Sequence, residues 1–210
     1  MSKSILTLLM MLTTVLPVSS CSKSKTSNNV KDMENRKTLV VFFSRTGENY
    51  AVGNIAKGNT HIIAEMIAEE TDGKLFQIEP SNAYPENYTK CTEVAKLELE
   101  SKARPAIKGD VAVEDYDVVY LGYPNWWGDM PMPVYTFIEK HNWQGKTVVP
   151  FCTHEGSGLS DTENKLKTAC EGATVLKGLA IRGTMAQKSQ EQARKTVANW
   201  LEKTAQRGNK

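Results

Sequence analysis

Three short runs of β-branched and aromatic residues constrain this chain more than any other feature: Thr38–Phe43 (TLVVFF), Asp117–Gly122 (DVVYLG) and Lys146–Cys152 (KTVVPFC). Each is nearly continuous in apolar side chains rather than alternating, the pattern of a strand buried on both faces. Such strands need cover on both sides of their sheet, and the stretches between them supply it. Thr60–Glu70 carries Ile62, Ile63, Met66 and Ile67 as one helical stripe, with Thr60 placed to cap its start. Asn87–Ser101, Pro133–Lys140, Leu159–Ala169 and Ser189–Ala205 read as further helices, the last turning Ala193, Val197, Trp200 and Leu201 inward. Leu75–Ile78, ended by Pro80, and Thr174–Ile181 bring the strands to five. Strands alternating with helices predict an α/β fold with a doubly wound, five-stranded parallel sheet. The 210 residues suit a single domain of this kind, with no internal repeat.

The first residues stand apart from that pattern. Lys3 precedes an apolar stretch, Ile5–Val18, too short for a comfortable membrane span, and small residues then lead into a cysteine at Val18-Ser19-Ser20-Cys21. This order resembles the lipobox of bacterial lipoproteins, in which the cysteine thiol is acylated; a plain signal peptide with an incidental cysteine is the alternative. The division expected is therefore a signal peptide over residues 1–20, a polar tether over 21–36 and one domain over 37–207. The resemblance implies a bacterial cell-envelope location with the membrane reached only through the lipid on Cys21. The formal net charge of +2 gives no electrostatic reason to expect nucleic acid as a partner. Cys91, Cys152 and Cys170 remain, an odd number without a CxxC pair, and His61, His141 and His154 are scattered, so no metal site is expected. Buried, inert thiols are the expectation for all three.

Ligands of doubly wound sheets sit at the carboxyl ends of the strands, where the winding direction switches. Three loops at that rim are unusual. After strand one, Ser44-Arg45-Thr46-Gly47 places hydroxyls on alternate residues before a glycine, a turn able to converge amides and O–H groups on a phosphate. Gly58-Asn59-Thr60 has no lysine in the Walker A position, and no G-x-G-x-x-G follows strand one. After strand three, Gly122-Tyr123-Pro124-Asn125-Trp126-Trp127-Gly128 puts two indoles side by side, one suited to packing and the other to meeting a flat ring. After strand four, Thr153-His154-Glu155-Gly156-Ser157-Gly158 lets the backbone approach a ligand closely, or caps a helix through Ser157 or Ser160.

Together the three loops resemble the flavodoxin family, from about Thr38 to the end of the chain. The resemblance implies strand order 2-1-3-4-5 and one non-covalent flavin mononucleotide (FMN). Residue by residue it implies Ser44, Arg45, Thr46, Gly47, Asn59 and Thr60 around the phosphate. Tyr123, Pro124, Asn125, Trp126 and Trp127 would stand on one side of the ring, with Thr153, His154, Glu155 and Gly156 on the other. One departure is an insertion, Glu48 to Gly58, between the T-G and the N-T of the family pattern. It is expected either to fold over the cofactor, with Tyr50 the nearest contact, or to be a surface excursion. Gly172-Ala173-Thr174 is a turn into strand five rather than a covalent flavin-attachment motif.

The redox role has three readings. The near-neutral charge favours an oxidoreductase passing electrons from a reduced donor, NAD(P)H among them, to a quinone or other small acceptor, with His154 and Glu155 as candidate proton-handling groups. A single-electron carrier and a fold that has lost its flavin are the alternatives.

Overall fold

The computed structural model describes residues 36–207; the expected signal peptide, Cys21 and the expected tether up to residue 35 lie outside them. Among the described residues ten strands and six α-helices follow in chain order. They are β1 (Thr38–Phe42), β2 (Gly47–Asn49), β3 (Gly53–Ile55), α1 (Asn59–Thr71), β4 (Lys74–Gln77), β5 (Glu79–Pro80), α2 (Tyr88–Glu100) and β6 (Ile107–Lys108). Then come β7 (Val118–Pro124), α3 (Met132–Ile138), β8 (Thr147–His154), α4 (Thr162–Ala169), β9 (Thr174–Val175), β10 (Leu179–Arg182), α5 (Gly183–Lys188) and α6 (Gln190–Arg207).

The main sheet runs β4-β1-β7-β8-β10, all parallel, with β9 also paired to β8. This is the order 2-1-3-4-5 once β9 and β10 are counted as one interrupted fifth strand. Side chains alternate across it with period two. Leu39, Val41 and Phe43 join Val119, Leu121 and Tyr123 in one buried layer under α3 and α4. Val40 and Phe42 join Val118, Tyr120 and Phe151 in the other, covered by α1, α5 and α6. Gly122 is required at its place: a Cβ there would lie 2.1 Å from the Phe151 ring.

The fifth strand departs from the sequence expectation by splitting. Val148 faces Val175 and Phe151 faces Leu179, so four steps on one strand oppose three on the other, a bulge. Pro150 explains it. The Val148 carbonyl accepts from Leu176 N (2.9 Å), and Pro150, two residues on, points its missing N–H toward the same neighbour. Gly178 fills the gap against the Pro150 carbonyl.

The remaining pieces decorate the site rim. The 48–58 insertion is an antiparallel hairpin, β2 with β3, turned by Ala51 (φ 63°) and Gly53 (φ 76°). β5 pairs β6 and brackets α2. The three remaining thiols, Cys91, Cys152 and Cys170, are free and buried, and burial pushes all three pKa values up, Cys170 to about 12.

Candidate functional site

The first loop meets the start of α1 more tightly than its sequence suggests. The Ser44 Oγ accepts the His61 N–H (3.1 Å), so a residue seventeen positions upstream serves the helix terminus. Gly58 stands at the N-cap and offers no side chain; a Cβ there would lie 2.1 Å from Ser44 Oγ and 2.6 Å from the Arg45 carbonyl. Its φ of −67° is ordinary, so space rather than torsion demands glycine. The amides of the first turn have no acceptor within the helix, and the positive end of the α1 dipole faces this loop. That is an anion cradle.

Thr60 does not cap the helix as expected. The helix begins at Asn59, which carries Thr60 inward, where its buried Oγ1 lies 2.7 Å from Thr153 Oγ1. Arg45 turns its guanidinium to backbone carbonyls: Pro85 (2.7 Å), Glu86 and Glu48. Its donors therefore fasten the hairpin and the approach to α2 instead of facing an anion. Thr46 is exposed in a separate shallow cleft beside Gln77, Glu79 and Lys108. Gly47, at φ 77°, opens the hairpin. Within the hairpin the Glu48 carboxylate accepts from Asn87 Nδ2 (2.8 Å) and Tyr88 N (2.9 Å) at the α2 N-terminus, and the Tyr50 ring sits 6.0 Å from that of Tyr88.

In the second loop the expectation for Tyr123 is overturned. Strand β7 continues to Pro124, so the two-residue alternation still governs position 123 and directs its ring into the core. The side chain is fully buried and its hydroxyl donates to Thr162 Oγ1 (2.8 Å). Asn125 joins the loops: its N–H donates to the Thr153 carbonyl, its Nδ2 to Gly158 O and Ser160 Oγ, and its Oδ1 accepts from Gly128 N, all within 3.0 Å. The two indoles differ. Trp126 is half-buried, edge-on to Phe43 (5.3 Å) and Tyr84 (5.0 Å). Trp127, at φ 55°, is 55% exposed and donates its Nε1–H to the Thr92 carbonyl of α2 (3.0 Å).

In the third loop the two candidate proton-handling groups separate. Glu155 accepts from Thr184 N (2.6 Å) and Thr184 Oγ1 (3.2 Å), with Arg182 at 3.9 Å. That carboxylate caps α5. His154 is half-buried, and its Nδ1 accepts the Gly156 N–H (2.8 Å). Burial and the nearby Arg182 hold its pKa below the ordinary 6.5.

The three loops enclose one cleft of about 380 Å³, within the range of ligand-binding clefts. Arg45, Asn59, Pro124, Asn125, Trp126, Trp127 and residues 153–156 of the sequence-predicted set line it. Ser44, Thr46, Gly47, Thr60 and Tyr123 do not, although Ser44 and Thr60 stand at the helix start that borders it. Tyr50 does line it. Among the described residues no group of three His, Cys, Asp or Glu could hold a metal ion.

The model of a family described as flavodoxin matches residues 37–204. The chain belongs to the flavodoxin family. Among solved structures, a protein of Bacteroides eggerthii assigned to the flavoproteins is 31% identical with a TM-score of 0.65, covering 81% of this chain and 99% of its own. A second, from Bacteroides uniformis, is 32% identical with a TM-score of 0.63, covering 79% and 97%. A Lactobacillus acidophilus flavoprotein solved in complex with FMN is 22% identical with a TM-score of 0.56, covering 74% and 99%. No curated protein matches the sequence.

This flavodoxin builds its cleft from more than the three loops. Helix α2 contributes Tyr88, Cys91, Thr92 and Ala95 as a fourth wall. Its inward stripe (88, 91, 92, 95) has helical spacing, a signal present in the sequence. The exit of the fifth strand contributes a lock. Gly183 lies so close to Asn59 that a Cβ would approach Nδ2 to 2.2 Å, and Gln187 Nε2 donates to Asn59 Oδ1 (2.9 Å) and Lys57 O (2.7 Å). A six-residue helix with one aliphatic residue besides Met185 leaves no periodic trace by which to find it.

Proposed function

We propose that this protein is an FMN-dependent oxidoreductase of the bacterial cell envelope, passing electrons from a reduced donor to a quinone or another small acceptor. FMN is the cofactor supported by family membership and by the FMN complex of the Lactobacillus relative. The observation that carries the reading is the hydroxyl contact of Thr60 and Thr153 at 2.7 Å. It joins the anion cradle at α1 to the loop facing the tryptophans, so one molecule with a phosphate at one end and a flat ring at the other spans both.

The residues present fit that group. The crowding at Gly58 leaves the first amides of α1 and the Ser44 loop to hold the phosphate. Trp126 and Trp127 supply aromatic surface, and the Asn125 bonds hold the two ring-facing loops at fixed separation. Bound FMN supplies the electron chemistry; the protein positions it and sets its electrostatics. Tyr50 and Trp127, which line the cleft, are exposed to solvent, which suits approach of a small acceptor. Lys3, the apolar Ile5–Val18 stretch and Ser19-Ser20-Cys21 support export and acylation of the Cys21 thiol.

The test is a titration of the purified protein with FMN and with riboflavin, followed by flavin fluorescence. Saturable one-to-one quenching by FMN, with riboflavin at least tenfold weaker, is expected; absence of FMN binding removes the proposal. NAD(P)H-dependent quinone turnover then separates an oxidoreductase from a one-electron carrier. Labelled palmitate incorporated by the full chain and lost in Cys21→Ala tests the anchor.

A further inference from the structure

His154 is left with one unassigned nitrogen. Its Nδ1 accepts the Gly156 N–H at 2.8 Å, so Nδ1 carries no proton and the neutral ring must carry it on Nε2. That Nε2–H makes no hydrogen bond among the described residues, and His154 is one of the residues that line the cleft. The neighbouring acid is not available to it as a proton partner: the Glu155 carboxylate is taken up by the Thr184 amide and hydroxyl. The charged groups facing the ring are Arg182, its register partner on β10, and Glu155 beside it.

Resting on the proposed flavin function, we propose that His154 is a neutral hydrogen-bond donor, locked in one tautomer, for a carbonyl oxygen that gains negative charge when electrons arrive. It acts by donating a hydrogen bond and keeps its proton throughout, so no group is transferred to or from it. A preorganised donor of this type favours the reduced state over the oxidised one, because charge on the oxygen strengthens the bond. Its partner is a carbonyl oxygen of the flavin's pyrimidine edge, onto which the charge of the reduced ring would delocalise, or the carbonyl of a quinone-type acceptor; both offer an oxygen that gains negative charge. The Gly156 amide is the positioning group: it fixes which nitrogen carries the proton. Lowered by burial and by Arg182, the affinity of the ring for a second proton is small, which keeps Nδ1 free to accept.

The experiment uses FMN-reconstituted protein and two variants, His154→Leu, which removes the donor, and His154→Gln, which keeps one. The ring ¹⁵N shifts of the unsubstituted protein near neutral pH are expected to show a protonated Nε2 and a bare Nδ1; the opposite tautomer overturns the proposal without reference to activity. If the flavin carbonyl is the partner, His154→Leu weakens binding of reduced FMN relative to oxidised about tenfold, a midpoint shift of about 30 mV to more negative potential for a two-electron couple, and His154→Gln restores most of it. If the acceptor is the partner, the potential stays while quinone kcat/KM falls about a hundredfold, a larger loss than with a carbonyl-free oxidant such as ferricyanide. Equal potentials together with equal quinone-to-ferricyanide ratios across all three proteins overturn it. Failure of FMN to bind at all is a different result and counts against the proposed function instead.

Discussion

The loop after β7 and the loop after β1 border the same cleft, yet one is gathered on a single hub residue and the other is held at several separate points. The tryptophan loop is gathered on one hub residue that ties its own turn to the neighbouring loop after β8. Asn125 alone gathers Gly128, Gly158, Ser160 and Thr153; the Trp126–Asp129 backbone pair pinches the turn; and Asp129 is pinned by Tyr135 and Lys165. The Ser44–Gly58 segment borrows its rigidity. Arg45 reaches forty residues along the chain to Pro85 and Glu86, Glu48 caps α2, and Asn59 leans on Gly183 and Gln187. The ring side is therefore preorganised by two neighbouring loops bonded through Asn125, while the anion side takes its shape from α2 and α5. A junction gathered on one side chain fails all at once, whereas one spread over several residues fails piece by piece.

Asn125→Ala removes the hub that joins the two ring-facing loops and should give the largest effect. A loss of about 2–3 kcal/mol is expected from several unmade bonds, seen as a melting temperature lower by roughly 5–10 °C, together with FMN affinity at least tenfold weaker. A melting temperature unchanged within error would sink the claim that Asn125 is the hub of the ring side. Arg45→Lys tests the borrowed side. Lysine cannot span several carbonyls at once, so a stability loss of about 1–2 kcal/mol is expected, while the ratio of FMN to riboflavin affinity changes little. A collapse of that ratio would mean that Arg45 serves the phosphate directly.

Tyr123→Phe should cost about 1 kcal/mol through the lost bond to Thr162 and leave FMN binding intact, as a core residue demands. Weaker flavin binding in this variant would return Tyr123 to the ring. The smallest expected effect is in acid. His61 and His154 both have pKa values lowered first by burial, so the unfolded chain binds more protons than the folded one below about pH 6.5. Their contribution is complete above that value and is lost as pH falls through the lowered folded values. The fall in melting temperature from pH 7 to pH 5 should be shallower in His154→Gln than in the unsubstituted protein.

The same contrast explains what the sequence made legible. Apolar runs and helical stripes report burial, and burial decides the sheet, its winding and the order of its strands. Glycines and small hydroxyls at strand ends located the rim. What stayed hidden is long-range or local to one backbone detail. Nothing in the neighbourhood of Arg45 announces carbonyls forty residues away, and nothing beside Glu155 announces the amide of Thr184. In the sequence Gly122 looks like the end of a strand, which puts Tyr123 in the loop; the ladder runs two residues further, and alternation then places the ring inside. The split of the fifth strand was written in Pro150, but across the sheet from where the break appears.

The seam between the two halves of the cleft is a pair of threonine hydroxyls, Thr60 and Thr153, of which either can be the donor. Two O–H groups sharing one bond always leave one proton unshared. Rotating both about their C–O axes moves that spare proton from the helix side to the strand side without displacing a carbon. The junction between the helix side and the strand side of the cleft is thus a dipole that can reverse while the backbone on both sides stays still.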